Sequence, residues 1–295
     1  MKNTVFKGMA TAMITPMTAH GVDYPTLERF IEFQLEKGIN ALVAVGTTGE
    51  SATLSPEERK EVIRFTVKQV NGRVPVIAGC GTNNTAHVLD FTKSACDDGA
   101  DAILCVTPYY NKATQKGLIA HYTAIADASE KPVILYSVPS RTGCNILPDT
   151  VAALAEHPKI VGLKDATGNM DQLVETIAKC GDKLDIYSGE DSLTVPMMSM
   201  GAAGCISVVT NVVPDLAVSM CDKFFAGDIA GAAAMQCKLL PLIRALFSEV
   251  NPIPAKAAVA AMGFGEEYLR MPLSYLEDHN RENLLKQMRA LGVQV

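Results

Sequence analysis

The chain has 295 residues, of which 48% are hydrophobic and 20% charged, and its formal net charge is -6. A chain of this length can bury a large core, and α/β barrels of this size commonly form one unit. The negative charge argues against nucleic-acid binding, because a phosphate-binding surface requires a basic patch. The net charge is compatible with a small anionic substrate, since such a substrate needs only a local arginine or a set of backbone amides.

Eight apolar segments along the first three-quarters of the chain are predicted to be β-strands. Most of them are continuously apolar rather than alternating, which is typical of strands that are covered on both faces in a parallel sheet. The predicted strands are residues 9–14, 41–45, 74–78, 102–106, 133–136, 160–163, 186–188 and 204–209.

Helical patterns fill the intervals between these segments. Leu27, Phe30 and Ile31 fall on one face of a helix and would pack against the sheet. Ser55 and Glu58 form a capping box, and the proline between them suits the first position of a helix. A helix is therefore predicted to begin directly after Ser55.

The repeated order of strand and helix predicts a (β/α)8 TIM barrel over residues 1–227. Gly38 and Gly99 each end a helix just before an apolar strand, which marks a repeated unit. An open doubly wound sheet is disfavoured, because no glycine fingerprint follows the first strand. The remainder, 228–295, is predicted to be a C-terminal helical region with helices at 228–250, 255–262 and 274–291.

Cysteine usage and hydropathy indicate a cytoplasmic protein without membrane association. The eight cysteines include no Cys-x-x-Cys pair, which favours reduced thiols over a disulfide framework or a zinc site. Residues 1–8 hold no apolar stretch long enough for a signal peptide. The uncharged span 192–214 approaches membrane length, but its prolines and glycines predict a helix, a loop and a strand instead.

Lys164 is the first candidate for chemistry, because it ends the sixth predicted strand and active sites of (β/α)8 barrels lie at that end of the strands. An ammonium group is costly to bury after such an apolar run. Burial favours the neutral amine, and only the neutral amine can attack a carbonyl to form a Schiff base. The alternative is an ordinary lysine that caps a strand and reaches solvent.

Three further features lie at or just after the ends of other predicted strands. The Gly-Thr-Thr-Gly segment at 46–49 can turn backbone amides and hydroxyls toward a carboxylate. Tyr136 ends the fifth predicted strand, where its hydroxyl can exchange protons with a carbinolamine, and Arg141 can bind a second carboxylate bidentately. Each has an ordinary alternative: a tight turn, a core aromatic, a solvated arginine. Together with Lys164 they favour a site that forms an imine with a 2-keto acid and condenses it with an acidic partner.

The chain resembles the dihydrodipicolinate synthase family, within the superfamily that includes N-acetylneuraminate lyase. The resemblance covers essentially the whole chain. The Gly-Thr-Thr-Gly loop and the lysine strand mark the superfamily, whereas Val-Pro-Ser-Arg-Thr-Gly at 138–143 points to the synthase. The segments that carry the resemblance are 46–50, 107–111, 135–143, 162–164 and 251–256.

The resemblance implies condensation of pyruvate with L-aspartate 4-semialdehyde to 4-hydroxy-tetrahydrodipicolinate, in lysine and diaminopimelate biosynthesis. Lys164 would form an imine with pyruvate, whose enamine would attack the aldehyde. Transimination by the substrate amine would then close the ring and free the lysine. No metal or organic cofactor is implied. The implied roles are a proton relay of Tyr136, Thr47 and Tyr110, carboxylate binding by Thr47 and Thr48 for pyruvate and by Arg141 for the semialdehyde, and main-chain lining of the pyruvate pocket by Gly189 and Ile206.

The resemblance also implies an assembly, since Tyr110 would be contributed by a neighbouring subunit. The family is commonly a homotetramer built from tight dimers, and at least a dimer would be needed for function.

A second site at the dimer interface binds the product lysine in lysine-inhibited relatives. Ser51, Ala52, Asn83 and Tyr109 are its counterparts here, while His87 stands where those relatives carry a glutamate. A lysine ammonium favours a carboxylate partner, which a histidine cannot supply. We therefore expect weak or absent inhibition by lysine.

Two alternatives remain open at this stage. A different pyruvate aldolase of the superfamily, such as N-acetylneuraminate lyase or a 2-keto-3-deoxy sugar-acid aldolase, would also use Lys164. Arg141 argues against it, because a sugar would be expected to meet more hydroxyl-binding groups. A non-catalytic sensor of keto or amino acids would tolerate loss of Lys164 or Tyr136, yet both are present beside Tyr110.

Overall fold

The computed structural model describes residues 2–295 and contains a closed barrel of eight parallel strands. Each barrel strand pairs with its neighbours in the chain, and the last strand pairs with the first. A small antiparallel hairpin, β2–β3, lies outside the barrel. The strands β1 to β10 are, in chain order, Gly8–Ala12, Met17–Thr18, Gly21–Val22, Ala41–Ala44, Val76–Gly79, Ala102–Val106, Val133–Ser137, Ile160–Asp165, Asp185–Ser188 and Gly204–Ser207.

Helices surround this barrel and continue beyond its last strand. Ser55 Oγ accepts a hydrogen bond from Glu58 N at 3.1 Å, and Ser55 N donates to Glu58 Oε2 at 2.9 Å, which confirms the predicted capping box. The helices α1 to α12 are, in chain order, Tyr24–Glu36, Pro56–Val70, Thr85–Asp97, Gln115–Ala128, Pro139–Thr142, Pro148–Leu154, Met170–Cys180, Thr194–Ser199, Pro214–Phe225, Ile229–Leu246, Ile253–Ala261 and Asp278–Ala290.

The barrel strands are buried on both faces, as the continuous apolar segments predicted. Along β7, Ile134 and Tyr136 belong to the cluster inside the barrel, and Leu135 packs with the outer cluster between strands and helices. Small side chains such as Ala10 and Ala102 share the interior with the larger Tyr187. The predicted (β/α)8 barrel with C-terminal helices is therefore confirmed.

The predicted element boundaries differ from the structure at a few places. Pro75 precedes β5 instead of belonging to it, in line with its lack of a backbone N–H for the strand ladder. The β2–β3 hairpin was not predicted, because strands of two residues carry no periodicity. The last helix was predicted four residues too early, since its N-cap is Glu277 and not a residue near Ser274.

The C-terminal helices pack on the barrel and share its outer core. Leu239 and Leu242 of α10, Ala258 of α11 and Leu284 of α12 belong to the same buried cluster as Met9 of β1. The barrel and the C-terminal helices thus share one core. The predicted boundary between a barrel at 1–227 and a helical region at 228–295 stays a prediction.

Helix α10 is long and apolar enough to meet the length and composition test for a membrane span, with a mean hydropathy of 1.3 over 18 residues. Core helices of globular folds have the same length and composition. Here α10 packs against α9 and α12, and Gln236 donates to Asp191 O at 3.0 Å while accepting from Val195 N at 3.1 Å. The span 192–214 forms helix, loop and strand, as predicted.

Candidate active site

A cavity of about 230 Å³ opens at the C-terminal ends of the barrel strands. Residues from all eight barrel strand ends line it, together with two from the segment that follows α10. The cavity therefore lies where (β/α)8 barrels carry their active sites.

Lys164 enters this cavity from the end of β8 and is only 6% exposed. It is paired in register with Tyr136 of β7, and its Nζ lies 4.3 Å from the centroid of the Tyr136 ring. Lys164 takes part in none of the ion pairs formed within residues 2–295. A nearly buried amine without a carboxylate partner is well placed to act as a nucleophile.

Gly189 leaves the space that the Lys164 side chain occupies. A Cβ atom at position 189 would lie 2.7 Å from the Cβ of Ala166 and 3.1 Å from the Cε of Lys164. Ile206, the other predicted main-chain contributor, is buried inside the barrel with Tyr136 and does not line the cavity; Val208 does. The glycine thus has a steric reason to be at this strand end.

The Gly-Thr-Thr-Gly loop is held in a strained conformation. Val45 and Glu50, the residues on either side of it, have φ values of 58° and 57°, which non-glycine residues rarely adopt and a β-branched residue such as Val45 adopts least of all. Thr15 Oγ1 donates to Gly49 O at 2.8 Å and helps to fix the turn. The result is that Thr47 and Thr48 both line the cavity, as the sequence predicted.

Arg141 lines the cavity from the short helix α5 and is exposed. Its Nη2 donates a hydrogen bond to the main-chain oxygen of Asn251 at 3.0 Å. The Asn251 side chain in turn donates from Nδ2 to Thr48 Oγ1 at 2.9 Å. Asn251 belongs to a segment that carries the family resemblance, but it was assigned no role, because no local pattern predicts that the C-terminal region reaches the barrel mouth.

Glu190 is the carboxylic acid among the cavity-lining residues and was also assigned no role. Burial raises the pKa of its carboxyl group, and the neighbouring Asp191 adds to this effect, while Lys164 opposes it.

Within residues 2–295 no group of three or more His, Cys, Asp or Glu side chains stands where it could hold a metal ion.

Tyr110 is not brought into the cavity of its own chain. Its side chain is 91% exposed, and its φ of 71° is unusual for a bulky residue. Of the predicted residues, the structure thus gathers Thr47, Thr48, Tyr136, Arg141, Lys164 and Gly189 around one cavity, and leaves Tyr110 and Ile206 outside it.

A second cavity of about 310 Å³ adjoins the first and shares Thr47, Arg141 and Asn251 with it. Of the five residues predicted for a regulatory site, Ser51, Ala52 and Tyr109 line it. Asn83 does not, but its main-chain oxygen accepts a hydrogen bond from Asn111 Nδ2 at 3.0 Å. His87 is exposed on α3, away from the lining of this cavity.

The fold and the cavity define the class: a (β/α)8-barrel protein with a buried lysine at the mouth of the barrel. The model of the Dihydrodipicolinate synthetase family matches residues 5–291. The chain therefore belongs to the dihydrodipicolinate synthetase family.

Individual relatives agree with this assignment over nearly their full length. The chain is 49% identical over 289 residues to the 4-hydroxy-tetrahydrodipicolinate synthase of Geotalea uraniireducens, covering 98% of this chain and 100% of that protein. It is 47% identical over 285 residues to the enzyme of the same name from Geobacter sulfurreducens, with coverages of 97% and 98%. The crystal structure of the Acinetobacter baumannii dihydrodipicolinate synthase complexed with pyruvate superposes with a TM-score of 0.96 at 44% identity, covering 98% of this chain and 100% of that one.

Proposed function

We propose that this chain is a 4-hydroxy-tetrahydrodipicolinate synthase, a lyase that condenses pyruvate with L-aspartate 4-semialdehyde in lysine and diaminopimelate biosynthesis. The observation that carries the proposal is the position of Lys164, nearly buried at the barrel mouth beside Tyr136 and surrounded by groups suited to carboxylates. Identity close to one half over the whole chain supports the same reaction.

The first half-reaction joins Lys164 to pyruvate. Hydroxyl and amide groups of the Thr47–Thr48 loop bind the pyruvate carboxylate, and the neutral amine of Lys164 adds to the keto carbon. A proton passed through the Tyr136 hydroxyl to the carbinolamine oxygen lets water leave, which gives the imine. Loss of a proton from the methyl group then gives the nucleophilic enamine.

The second half-reaction forms the new carbon–carbon bond. Arg141 binds the carboxylate of L-aspartate 4-semialdehyde, and the enamine carbon attacks the aldehyde carbon, whose oxygen takes up a proton. The amino group of the substrate then replaces Lys164 at the imine carbon, which closes the ring and frees the lysine. Because the lysine amine itself activates the keto acid, these steps need no metal or organic cofactor.

We also propose that the active unit is at least a dimer, and that the assembly is a homotetramer built from dimers. Tyr110 supports this, because it stands 91% exposed in a strained conformation outside its own cavity, where it can reach a neighbouring site.

The free thiols of all eight cysteines fit the reducing cytoplasm, which we propose as the location of the protein.

The test is pyruvate consumption by the purified protein on addition of L-aspartate 4-semialdehyde. We expect turnover in the wild type, none in Lys164→Ala, and covalent trapping of pyruvate by borohydride only where Lys164 is present. Trapping without turnover would move the assignment to another pyruvate aldolase, and N-acetylneuraminate would be tried next. Fully reversible pyruvate binding after borohydride would instead indicate a sensor.

A further inference from the structure

Asn251 connects the groups that the proposed function assigns to the two substrate carboxylates. It lies in the C-terminal region between α10 and α11, is 5% exposed, and borders both cavities. Its main-chain oxygen accepts from Arg141 Nη2 at 3.0 Å, and its side-chain Nδ2 donates to Thr48 Oγ1 at 2.9 Å. One residue therefore contacts both carboxylate-binding positions from a part of the chain 203 residues away from Thr48.

The hydrogen bond to Thr48 determines what the threonine hydroxyl can do. A hydroxyl has one O–H donor and two acceptor lone pairs. Because the Asn251 amide occupies an acceptor position of Thr48 Oγ1, the O–H proton has to point elsewhere. Thr48 is 2% exposed and lines the cavity, and its O–H donates to no other group within residues 2–295. The proton is thus available to a carboxylate in the cavity.

The Asn251 side chain is costly where it stands. Its Oδ1 atom is buried and accepts no hydrogen bond from any group within residues 2–295, so the protein itself satisfies only part of the amide. A purely structural role could be served by an apolar side chain without that cost. The one hydrogen bond that the side chain does make is the one to Thr48, which points to a role in the site.

The surrounding structure keeps Asn251 and the threonine loop in fixed relation. Lys256, on the next helix, forms a buried ion pair with Glu50 at the end of the loop, with a Nζ–Oε1 distance of 2.5 Å. Lys256 Nζ also donates to Tyr268 O at 2.6 Å. The C-terminal region is therefore tied to the end of the threonine loop by a second contact besides the one between Asn251 and Thr48.

We propose that Asn251 is a positioning residue: its amide N–H directs the Thr48 O–H toward the pyruvate carboxylate, and its main-chain oxygen holds Arg141 in place. The proposal rests on the proposed function for the identity of the two carboxylates, but its pyruvate half can be tested by imine formation alone.

Two substitutions at this position separate positioning from space filling. In Asn251→Asp the side chain keeps its shape, but the carboxylate accepts a hydrogen bond from the Thr48 O–H, whereas the Asn251 amide donates one to Thr48 Oγ1. The aspartate also adds a negative charge beside the substrate carboxylate. In Asn251→Ala the Thr48 O–H loses its direction without that repulsion. We expect the pyruvate concentration for half-maximal borohydride trapping to rise about tenfold or more in Asp and about threefold in Ala. If Asn251 only filled space, Asn251→Ala would have the larger defect in trapping, because aspartate matches the shape of asparagine more closely than alanine does.

Two further readouts keep the test decisive if one variant folds poorly. Lowering the pH should bring the pyruvate concentration for half-maximal trapping in Asn251→Asp closer to the wild-type value. The reason is that a protonated carboxyl group can donate a hydrogen bond to Thr48 as the amide does. Adding Asn251→Ala to Thr48→Val should not weaken pyruvate trapping further, because the group that Asn251 directs is already gone. Ser248→Ala is the matched control, since that hydroxyl bonds only Ala245 O, at 2.9 Å, on the same segment.

Equal trapping curves for wild type and both Asn251 variants, or a milder defect in Asp than in Ala, would overturn the proposal. Additive effects of Asn251→Ala and Thr48→Val would do the same. Failure of the proposed function looks different: the wild type would trap pyruvate normally and Asn251→Asp would still be impaired, yet no variant would turn over L-aspartate 4-semialdehyde.

Discussion

A single missing side chain, that of Gly189, decides whether Lys164 can take its position. An alanine there would place a methyl group 2.7 Å from the Ala166 Cβ, a contact that requires the end of β8 to shift. We expect Gly189→Ala to slow imine formation by about tenfold or more, because small displacements of a nucleophile are costly in rate. The rate of pyruvate trapping by borohydride measures this.

The control for that experiment is Gly117→Ala in the first turn of α4, where an added Cβ would meet no atom closer than 3.4 Å. It should trap pyruvate at the wild-type rate. A Gly189→Ala protein that also does so would show that the strand end adapts to the extra methyl group.

Lysine sensitivity is also a residue-scale question. Glu50 is the carboxylate lining the second cavity, and it is already paired with Lys256, so a bound lysine ammonium would find no free acidic partner among the residues that line this cavity. We expect half-inhibition by lysine to require more than about 1 mM. Because His87 does not line this cavity, His87→Glu should lower that concentration through the interface of the proposed dimer, where the family resemblance places residue 87, with His87→Gln as the neutral control. Inhibition of the wild type by lysine far below that concentration would contradict the expectation.

At the scale of elements, a buried ion pair ties the C-terminal helices to the barrel. Burial lowers the pKa of Lys256, while Glu50 opposes that effect by stabilising its charge. Lys256→Met would leave the buried Glu50 carboxylate with the hydrogen bond from Arg270 N but without its ammonium partner, which costs about 3–5 kcal/mol of unfolding free energy. The double variant Glu50→Gln/Lys256→Met should recover part of this loss, as thermal or urea unfolding would show. Equal losses in single and double variants would mean that packing, not charge, sets the stability here.

The elements themselves were largely predictable from the sequence, because continuous apolar runs, helical faces and the Ser55 capping box are local signals. The site was predictable where residues follow a strand, as Lys164 and Tyr136 do. Asn251 was not, since its contact with Thr48 depends on how the last helices pack and not on any nearby pattern. Tyr110 came from family resemblance alone, and a single chain cannot show which cavity it serves.

On the scale of the whole molecule, the barrel mouth carries apolar side chains that one chain leaves in water. Val250 borders the second cavity and is exposed, as are Tyr110 and Met271, which adjoin the cavity residues Tyr109 and Pro272. Exposed apolar groups next to a functional cavity favour association with another surface. In the dimer proposed above, a second copy of this chain is the partner that would cover these side chains and bring in Tyr110.

Subunit mixing tests whether Tyr110 acts across that interface. Lys164→Ala and Tyr110→Phe proteins should each be nearly inactive alone, and exchanging their subunits should restore activity. In a mixed dimer, the site with an intact Lys164 receives Tyr110 from the Lys164→Ala chain, while the other site has neither group. After random exchange of equal amounts, about half of the dimers are mixed, and each mixed dimer has one complete site out of two. The expected activity is therefore about a quarter of the wild-type activity. If Tyr110 served its own chain, no site in the mixed dimer would be complete, and mixing would restore nothing.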